Sequence, residues 1–516
     1  MEPGFECTEP GRPCQELQRC GDRRLTANEG CDDGNGEPGD GCSADCQVER
    51  GWACPMGAAC RAAACGDGLV VGQEACDDGN AAAGDGCGPS CLVESPAPGE
   101  GDGWVCEQPG APCRRTRCGD GKQEGSEPCD DGNRTVGDGC SPLCRKEPTC
   151  PAQGGPCTSA CGDGILLSTD VLAGQDCDDG NTRSGDGCSA ACKQEAGYTC
   201  QALAVVDDPL IVPVVYRDFK PFHEAGGHPD FQRFEGLGEA GIVEPRLDPD
   251  GKPVHVAAGR AFTVNGDPGF TATDYFALWY RDDDRWSRTI EGVLALPRIA
   301  GGAYRYDNPD FFPLDGQGFG NYAQEPDYRG IVRNFHFTSE IRTWFQYQGG
   351  ERLEFTGDDD VWVFVNKRLA VDLGGVHPEL AAAITLDPVD GTAQVCDLVS
   401  PCPAVRSIDL GLERDRVYEI AVFQAERRTV HSHYRLTLGN FSAPRSACTS
   451  VCGDGVVTPE EACDLGTAGN TGAYGTCSAD CTLPPRCGDG VVQADQGENC
   501  DQTPGCPATC RRSVVD

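Results

Sequence analysis

Three consecutive carboxylates, Asp358, Asp359 and Asp360, stand directly before an apolar run in the segment GDDDVWVFVN. Neighbouring carboxylates about 5 Å apart repel each other by roughly 1 to 3 kcal/mol, depending on the local dielectric constant. Exposure to water would reduce this repulsion, and so would a divalent cation, because Ca²⁺ prefers oxygen ligands. The cluster therefore predicts either a solvated turn or a calcium site at the start of a strand.

The run that follows the carboxylates has the alternating pattern of a β-strand. Val361, Val363 and Val365 share one face, and Trp362 and Phe364 share the other. Because both faces are apolar, we expect this strand to lie inside a sheet. Similar short runs recur between Gly, Asp and Pro residues, at 292–296, 352–355, 417–423 and 434–438. These period-two runs predict a mainly β fold, an antiparallel β-sandwich.

The rest of the chain is organised by its cysteines, of which there are 36 among 516 residues. The segment CGDGLVVGQEACDDGNAAAGDGCGPSC, residues 65–91, recurs at 118–144 with the same gaps of ten, ten and three residues between cysteines. Two further copies keep this pattern closely and two C-terminal copies keep it loosely. The repeats therefore predict small disulfide-rich modules formed in an oxidising compartment, in an extracellular or cell-surface protein.

Charge and hydropathy narrow the possible partners. The net charge of −40 disfavours nucleic acid and anionic lipid surfaces. No run of about 18 apolar residues occurs, so we expect no membrane insertion. Because the sequence begins inside a repeat, at GFEC, we expect its signal peptide to lie upstream of this start.

One recurring cysteine pair is interrupted. The fourth repeat ends in GYTC at Cys200, and the expected partner does not follow until Cys448, four positions before the next CGDG. We therefore predict an inserted domain whose base is closed by a Cys200–Cys448 disulfide. The predicted units are six cysteine-rich repeats and the inserted sandwich, at residues 1–49, 50–100, 101–147, 148–200, 201–447, 448–481 and 482–516.

Two resemblances extend this interpretation. The pattern CGDG…E…CDDGN…GDGC…C resembles the myxobacterial-type cysteine-rich repeat, which implies a surface or secreted protein and no particular chemistry. Five motifs of the inserted domain resemble the fibro-slime domain, a relative of the PA14 β-sandwich: HPDF, FFPLDGQGFGN, NFHFTSEIRTWFQYQGGE, GDDDVWVFVNKRLAVDLGGVHP and FQAERRTVHSHYR. An apparent insertion in that domain, CDLVSPC, is expected to close a local loop between Cys396 and Cys402.

The second resemblance implies a site. Sugar-binding PA14 relatives carry an Asp-Asp pair at this strand entrance, joined by a cis peptide, and the pair holds a Ca²⁺ ion that coordinates glycan hydroxyls. By position, the expected metal ligands are Asp358 and Asp359, with Asp360 and Asn366 as further candidates. In other PA14 modules the pair only shapes a turn, and that alternative stays open. Nearby candidates for ligand binding are Asp372, His377, Arg427, His431 and Ser432.

The repeats contain a second candidate calcium site. Their Asp-rich loops combine hard oxygen ligands with glycine bends, and in the second copy the candidates are Asp77, Asp78, Asn80 and Asp85. Asp-Gly and Gly-Asn sequences also form ordinary turns between disulfides. Both interpretations stay open.

A zinc-protease motif is disfavoured by spacing. HEAGGH, residues 223–228, places its histidines five positions apart instead of four, and two glycines would break the helix that such a motif needs. No nucleophile elbow occurs either, so we expect a protein without enzymatic activity.

The expected function is that of a secreted or cell-surface adhesion or matrix protein. Its PA14-like domain would bind calcium and an extracellular polysaccharide or glycoprotein. One alternative is a passive structural matrix component without a soluble ligand. A secreted hydrolase is a further alternative with less support.

Overall fold

A computed structural model describes residues 102–203, 209–232, 240–256, 272–397, 405–441, 444–487 and 491–500, with shorter stretches between residues 5 and 94 and at 510–511. Its described residues confirm the predicted fold class, which is mainly β with antiparallel sheets and disulfide-rich modules. The inserted domain contains these strands: β1 Leu210–Phe219, β2 Ser287–Leu296, β3 Tyr304–Asn308, β4 Phe337–Gln346, β5 Arg352–Gly357, β6 Asp360–Val365, β7 Arg368–Leu373, β8 Leu380–Leu386, β9 Thr392–Asp397, β10 Val405–Asp409, β11 Val417–Glu426 and β12 Tyr434–Gly439.

These strands form two six-stranded sheets. The first has the order β3-β12-β5-β8-β9-β10, and the second has the order β7-β6-β11-β4-β1-β2. Every strand pairing in both sheets is antiparallel. Strand β6, with all six residues buried, lies between β7 and β11, as expected for a strand that is apolar on both faces.

Apolar side chains fill the space between the two sheets, and a second cluster covers the outer face of the second sheet. The inner core includes Val361, Val363 and Val365. The outer cluster includes Trp362 and Trp279. The two faces of β6 therefore contribute to different cores, which explains why its sequence is apolar at every position.

Three loops cross between the sheets at the same end of the sandwich. The chain passes from β5 to β6 through residues 358–359, from β7 to β8 through 374–379, and from β11 to β12 through 427–433. The register places Gly357 opposite both Leu380 and Tyr434, and Asp360 opposite Ala425. The three crossing loops are therefore neighbours.

The disulfides of the repeats are nested. In the four modules whose cysteines are all described, the first cysteine bonds the fourth and the second bonds the third, as in Cys118–Cys144 and Cys129–Cys140. The same connectivity joins Cys65–Cys91 with Cys76–Cys87, Cys161–Cys192 with Cys177–Cys188, and Cys452–Cys481 with Cys463–Cys477.

A two-stranded ribbon closes the base of the sandwich. Tyr198–Leu203 pairs with Arg445–Ser450, and Cys200 forms a disulfide with Cys448 across it. The equivalent element of the third repeat is the hairpin of Trp104–Val105 and Arg114–Arg115, closed by Cys106–Cys113. The other described hairpins of this kind pair Phe5–Glu6 with Gln15–Glu16 and Trp52–Ala53 with Arg61–Ala62.

The packing of the ribbon matches that of the hairpin in detail. In the third repeat's hairpin, Cys113 and the Trp104 ring press against Gly86 and leave no room for a Cβ. In the ribbon, Cys448 and the Tyr198 ring press in the same way against Gly187. The sandwich therefore replaces the tip of one hairpin of the repeat array.

The third and fourth repeats pack against the sandwich. The Gly155 N–H donates to Asn366 Oδ1 at 2.6 Å, the Cys157 N–H donates to the Val417 carbonyl at 2.8 Å, and Arg134 pairs with Glu291 at 3.2 Å. These repeats are therefore part of the support of the sandwich rather than a detached stalk.

Helices are short and few among the described residues. They are the α-helices Ser168–Leu172 and Ala272–Phe276 and the 3₁₀ turn Ala494–Gln496. Within the described parts of the chain, no helix combines the length and apolar character needed to cross a bilayer. Cys396 is disulfide-bonded, and Cys402, its predicted partner, lies outside the described residues.

Candidate functional site

The three crossing loops enclose a cleft of about 880 Å³. Asp358 and Asp359 contribute to its floor from the β5–β6 crossing. One wall comes from the β7–β8 crossing, and the opposite wall comes from the β11–β12 crossing. The lining side chains on these walls include His377, Glu379, Arg428, Val430, His431 and His433.

Backbone N–H groups of the neighbouring crossings hold the two floor carboxylates. Asp358 Oδ1 accepts a hydrogen bond from the His433 N–H at 2.5 Å. Asp359 accepts one from the His377 N–H at 3.2 Å and another from the Arg427 N–H at 3.0 Å. The fold therefore fixes both side chains at the junction of all three loops, and both are buried.

Asp360 points away from the cleft. Its Oδ2 accepts from Arg427 Nε at 2.6 Å, and its Oδ1 accepts from the Gly375 N–H at 2.5 Å. The guanidinium of Arg427 is itself buried and lies 4.7 Å from the centre of the Trp279 ring. Since Asp360 and Arg427 neutralise each other, neither is a member of the cation site that we propose below.

A fourth carboxylate, which sequence reasoning missed, lies beside the floor of the cleft. Glu426 is the last residue of β11 and is 0% exposed. Neither of its carboxylate oxygens accepts a hydrogen bond from any described residue. The nearby Ser432 hydroxyl and Arg428 N–H lower the pKa of Glu426, but neither group donates a hydrogen bond of normal geometry to its carboxylate. A buried carboxylate without hydrogen bonds destabilises the folded protein unless a bound proton or a nearby cation compensates its charge.

Burial raises the pKa of all three carboxylates, and neighbouring negative charges raise it further for Asp359 and Glu426. Burial, opposed by Arg427 and reinforced by the charges of Asp360 and Asp358, raises the pKa of Asp359 to about 8. Burial also raises the pKa of Asp358. For Glu426, burial and then the charges of Asp359 and Asp358 raise the pKa well above its ordinary value. At neutral pH this cluster needs either bound protons or a bound cation.

Three of the predicted ligand-binding residues lie at the cleft. His377 and His431 line it, and Ser432 is buried behind it beside Glu426. The His377 ring nitrogens face the carbonyls of Pro378 at 2.9 Å and Leu373 at 3.1 Å. His431 stacks on Tyr328, whose side chain is 60% exposed, with 4.5 Å between the ring centres.

Asn366, predicted as a metal ligand, and Asp372, predicted as a ligand-binding residue, lie elsewhere, so their assignment to this site is corrected. Asn366 follows β6, whose six residues place it roughly 20 Å from Asp360. It occupies a two-residue turn with positive φ and donates from Nδ2 to the Leu410 carbonyl at 2.8 Å. Asp372 lies on β7 and accepts from Trp362 Nε1 at 3.0 Å and from the Gly241 N–H at 2.6 Å.

The cis peptide also differs from the position implied by resemblance. The peptide between Asp358 and Asp359 is trans, and the cis peptide in the described residues is Thr429–Val430, in the facing wall of the cleft.

The Asp-rich loops of the repeats are closed by their own hydrogen bonds. Asp77 accepts from the N–H groups of Gly66, Asp67, Gly68 and Gly79 at 2.7 to 3.0 Å. Asn80 Nδ2 donates to Asp78 at 3.0 Å and to Asp85 at 3.1 Å. Asp130, Asp178 and Asp464 repeat the role of Asp77 in their own modules. This arrangement matches the turn interpretation of these residues.

Comparison with known families concerns the repeats. Residues 2–47, 49–92, 101–145 and 143–193 match a family described as a domain of unknown function, DUF4215. These matches coincide with the first four cysteine repeats. The chain is therefore a cysteine-rich repeat protein, and its many disulfides indicate an extracellular or secreted location.

Homologues occur among proteins of Dictyostelium discoideum. Protein psiD is 33% identical over 216 residues, which are 41% of this chain and 38% of psiD. Protein psiQ is 34% identical over 225 residues, which are 42% of this chain and 20% of psiQ. The chain thus spans well under half the length of either relative. Among solved structures, a sialidase matches with a TM-score of 0.14 and 9% identity over 33% of this chain and 20% of its own, which does not indicate a shared fold.

Proposed function

We propose that this chain is an extracellular adhesion or matrix protein that binds Ca²⁺ and, through it, extracellular carbohydrate. In this proposal the inserted sandwich is a fibro-slime domain of the PA14 type. The observation that carries the proposal is the buried, uncompensated negative charge of Asp358, Asp359 and Glu426 beside an open cleft. In this proposal the disulfide-bonded cysteine repeats support the sandwich.

The charge balance favours a divalent ion over a solvated turn. A solvated turn would expose its carboxylates, whereas Asp358 and Asp359 are 6% and 4% exposed and Glu426 is fully buried. Arg427 neutralises Asp360, so among the described residues three carboxylates remain without a cationic partner of their own. Carboxylate oxygens are the ligands that Ca²⁺ prefers, and the donor set therefore fits this ion. When bound, the ion would offer coordination positions to hydroxyl groups of a sugar.

The cleft has a size and a lining suited to a small polar ligand. Its volume of about 880 Å³ falls within the range of small-molecule sites. The stacked rings of Tyr328 and His431 form an exposed aromatic edge beside it. Arg428, His431 and His433 place polar and basic groups opposite the carboxylates. This combination supports a hydroxylated ligand such as a saccharide.

We expect the chain to bind Ca²⁺ at this cluster with an affinity that rises with pH. Because the pKa of Asp359 is raised to about 8, protons compete with the ion at neutral pH and below. Calorimetric titration of the full chain at about pH 6 and about pH 8 measures this competition. Asp359→Asn should weaken binding at least about tenfold, since it removes a charged ligand.

The matched control is Asp390→Asn, an exposed aspartate of the β8–β9 turn, at the end of β8 remote from the cleft. It should leave the titration unchanged. Equal heats from wild type and Asp359→Asn would show that Ca²⁺ does not bind at this cluster.

We further expect retention of extracellular polysaccharide that depends on calcium. A panel of polysaccharides coupled to beads should retain the wild-type chain in Ca²⁺ and release it when a chelator is added, because the ion provides the contact with the sugar. Asp359→Asn should be retained poorly in either condition, and Asp390→Asn should behave as wild type. Failure of every polysaccharide to retain the wild type would instead favour the passive matrix component.

A further inference from the structure

One glutamate of the third repeat is covered by the sandwich. Glu94, Glu147 and Glu195 stand at the same position in the second, third and fourth repeats, shortly after the last cysteine of each module. Each accepts hydrogen bonds from two glycine N–H groups of its own repeat: Gly84 and Gly86, Gly137 and Gly139, or Gly185 and Gly187. Glu147 is only 4% exposed, whereas Glu94 and Glu195 are partly exposed. Because the hydrogen bonds within the repeats are the same, the deeper burial of Glu147 comes from the sandwich.

Glu147 lines a cavity of about 210 Å³ between the repeats and the sandwich. On the sandwich side, the cavity is lined by Val212, Arg342 and Trp344, among others. The packing beside it is close, since a Cβ on Gly137 would lie 2.5 Å from Arg342 Cδ and 3.2 Å from Glu419 Oε1. The glutamate is therefore enclosed where the third repeat docks on the sandwich.

The negative charge of Glu147 is incompletely compensated in this interface. Its Oε1 atom is buried and accepts no hydrogen bond from any described residue. The guanidinium of Arg342 is close, but it already pairs with Glu340 at 2.9 Å and with Glu419 at 2.5 Å. Burial outweighs the glycine N–H groups and Arg342, and it raises the pKa of Glu147 to about 8.

Other charged groups face Glu147 or share its cavity. They are Asp138 of its own repeat and Arg145, Lys146, Asp163 and Arg445 in the cavity lining. Lys146 Nζ donates to the Cys161 carbonyl at 3.1 Å, and Arg445 Nη2 donates to the Asp179 carbonyl at 3.0 Å. These two cations are therefore directed at carbonyl oxygens of the fourth repeat.

We propose that Glu147 makes the docking of the repeats on the sandwich depend on proton binding. In the docked arrangement the closed interface favours the neutral carboxylic acid. In an undocked arrangement the side chain would face water, with a pKa near its ordinary value of 4.5. A group whose pKa is higher in the docked state stabilises docking in acid, and this contribution is lost as pH rises. Docking is therefore strongest below about pH 4.5 and weakens as pH rises through about 8.

Proton binding at Glu147 would decide whether the repeats and the sandwich move as one body. The loop that follows Glu147 reaches the sandwich through the Gly155 N–H, which donates to Asn366, and the Cys157 N–H, which donates to the Val417 carbonyl. Both N–H groups are held by the sandwich and exchange with solvent only when the interface opens. They therefore report on docking close to the glutamate.

Amide hydrogen exchange of the oxidised full chain at about pH 7 and about pH 8 tests the proposal. The exchange rate of the peptide that contains Gly155 and Cys157, divided by its intrinsic rate at each pH, measures opening of the interface. With one linked proton, opening of the wild type should increase roughly fivefold between the two conditions. Asp163 has a pKa raised by burial to about 7, so it contributes less than Glu147 in this range. Glu147→Gln cannot ionise, so its opening should be lower than that of the wild type and change less than about twofold.

Glu195→Gln is the matched control. Glu195 accepts the same pair of glycine hydrogen bonds in the fourth repeat but stays partly exposed, so this variant should keep the wild-type response to pH. The proposal is overturned if opening of the wild type is the same at both pH values, or if Glu147→Gln keeps the wild-type response. It is also overturned if Glu147→Gln opens more than the wild type at both pH values. The carboxylate would then stabilise docking through its hydrogen bonds and not through a bound proton.

Discussion

Replacing Glu340 with Gln is expected to destabilise the sandwich by about 3 to 5 kcal/mol, the cost of breaking a buried ion pair from one side. Glu340 lies on β4 and is fully buried. Its carboxylate accepts from Lys252 Nζ at 2.6 Å, Arg342 Nη2 at 2.9 Å and Arg217 Nη1 at 3.3 Å. The amide would leave these buried cations with too little negative charge, and its NH₂ group would face donors.

The pKa of Glu340 shows why its charge matters. Burial alone would raise it, but Lys252, Arg342 and Arg217 outweigh burial and lower it to about 2. A carboxylate with a lowered folded-state pKa stabilises the protein above its ordinary pKa near 4.5, and this contribution is lost as pH falls towards 2. Wild type should therefore lose stability across that acidic range, and Glu340→Gln should show a flatter dependence.

Glu354→Gln is the matched control. Glu354 pairs with Arg352 at 2.6 Å on β5, and both side chains are partly exposed. Exposed ion pairs contribute about 0 to 1 kcal/mol, so this variant should unfold nearly as wild type does. Urea unfolding followed by tryptophan fluorescence measures all three proteins, since Trp279 and Trp362 are fully buried in the sandwich. A loss below about 1 kcal/mol for Glu340→Gln would contradict the assigned role of this network.

Cysteine spacing carried much of what could be predicted from the sequence. A repeated gap pattern requires no knowledge of the fold, and an interruption in it reveals an insertion even when the two cysteines are 248 residues apart. Strand β6 was also predictable, because a run that is apolar on both faces must be covered on both. The packing of the third and fourth repeats against the sandwich could not be predicted from the sequence. It depends on contacts such as that of Gly155 with Asn366, which leave no periodic pattern in the sequence.

Two of the errors at the candidate site have one physical cause. Asn366 was assigned because it follows the carboxylates closely in sequence, but a strand carries the chain away at about 3.3 Å per residue. Glu426 was overlooked because it is distant in sequence. It returns to the carboxylates because β11 runs antiparallel to β6, which pairs Ala425 with Asp360. Its only sequence signal was an acidic residue at the end of an apolar run, and that signal becomes informative once the strand pairing is known.

Removing the base disulfide with the double change Cys200→Ser and Cys448→Ser should lower the free energy of unfolding of the sandwich by up to roughly 5 kcal/mol. In the chain-entropy model a cross-link restricts the unfolded chain more as the closed loop lengthens, and this loop of 248 residues encloses the whole sandwich. The ribbon of Tyr198–Leu203 and Arg445–Ser450 would keep its backbone pairing in the folded state. The loss therefore comes mainly from the unfolded state.

The control is the matching double change in the third repeat, Cys106→Ser with Cys113→Ser. It shows whether the loss of stability is specific to the Cys200–Cys448 bond or follows from removing any hairpin disulfide. The Cys106–Cys113 bond spans seven residues and lies outside the loop that contains the sandwich, so its removal should cost the hairpin at most about 2 kcal/mol and leave unfolding of the sandwich nearly unchanged. Urea unfolding without reductant compares both pairs. If the two double variants lowered the stability of the sandwich equally, the Cys200–Cys448 bond would not be constraining the inserted chain.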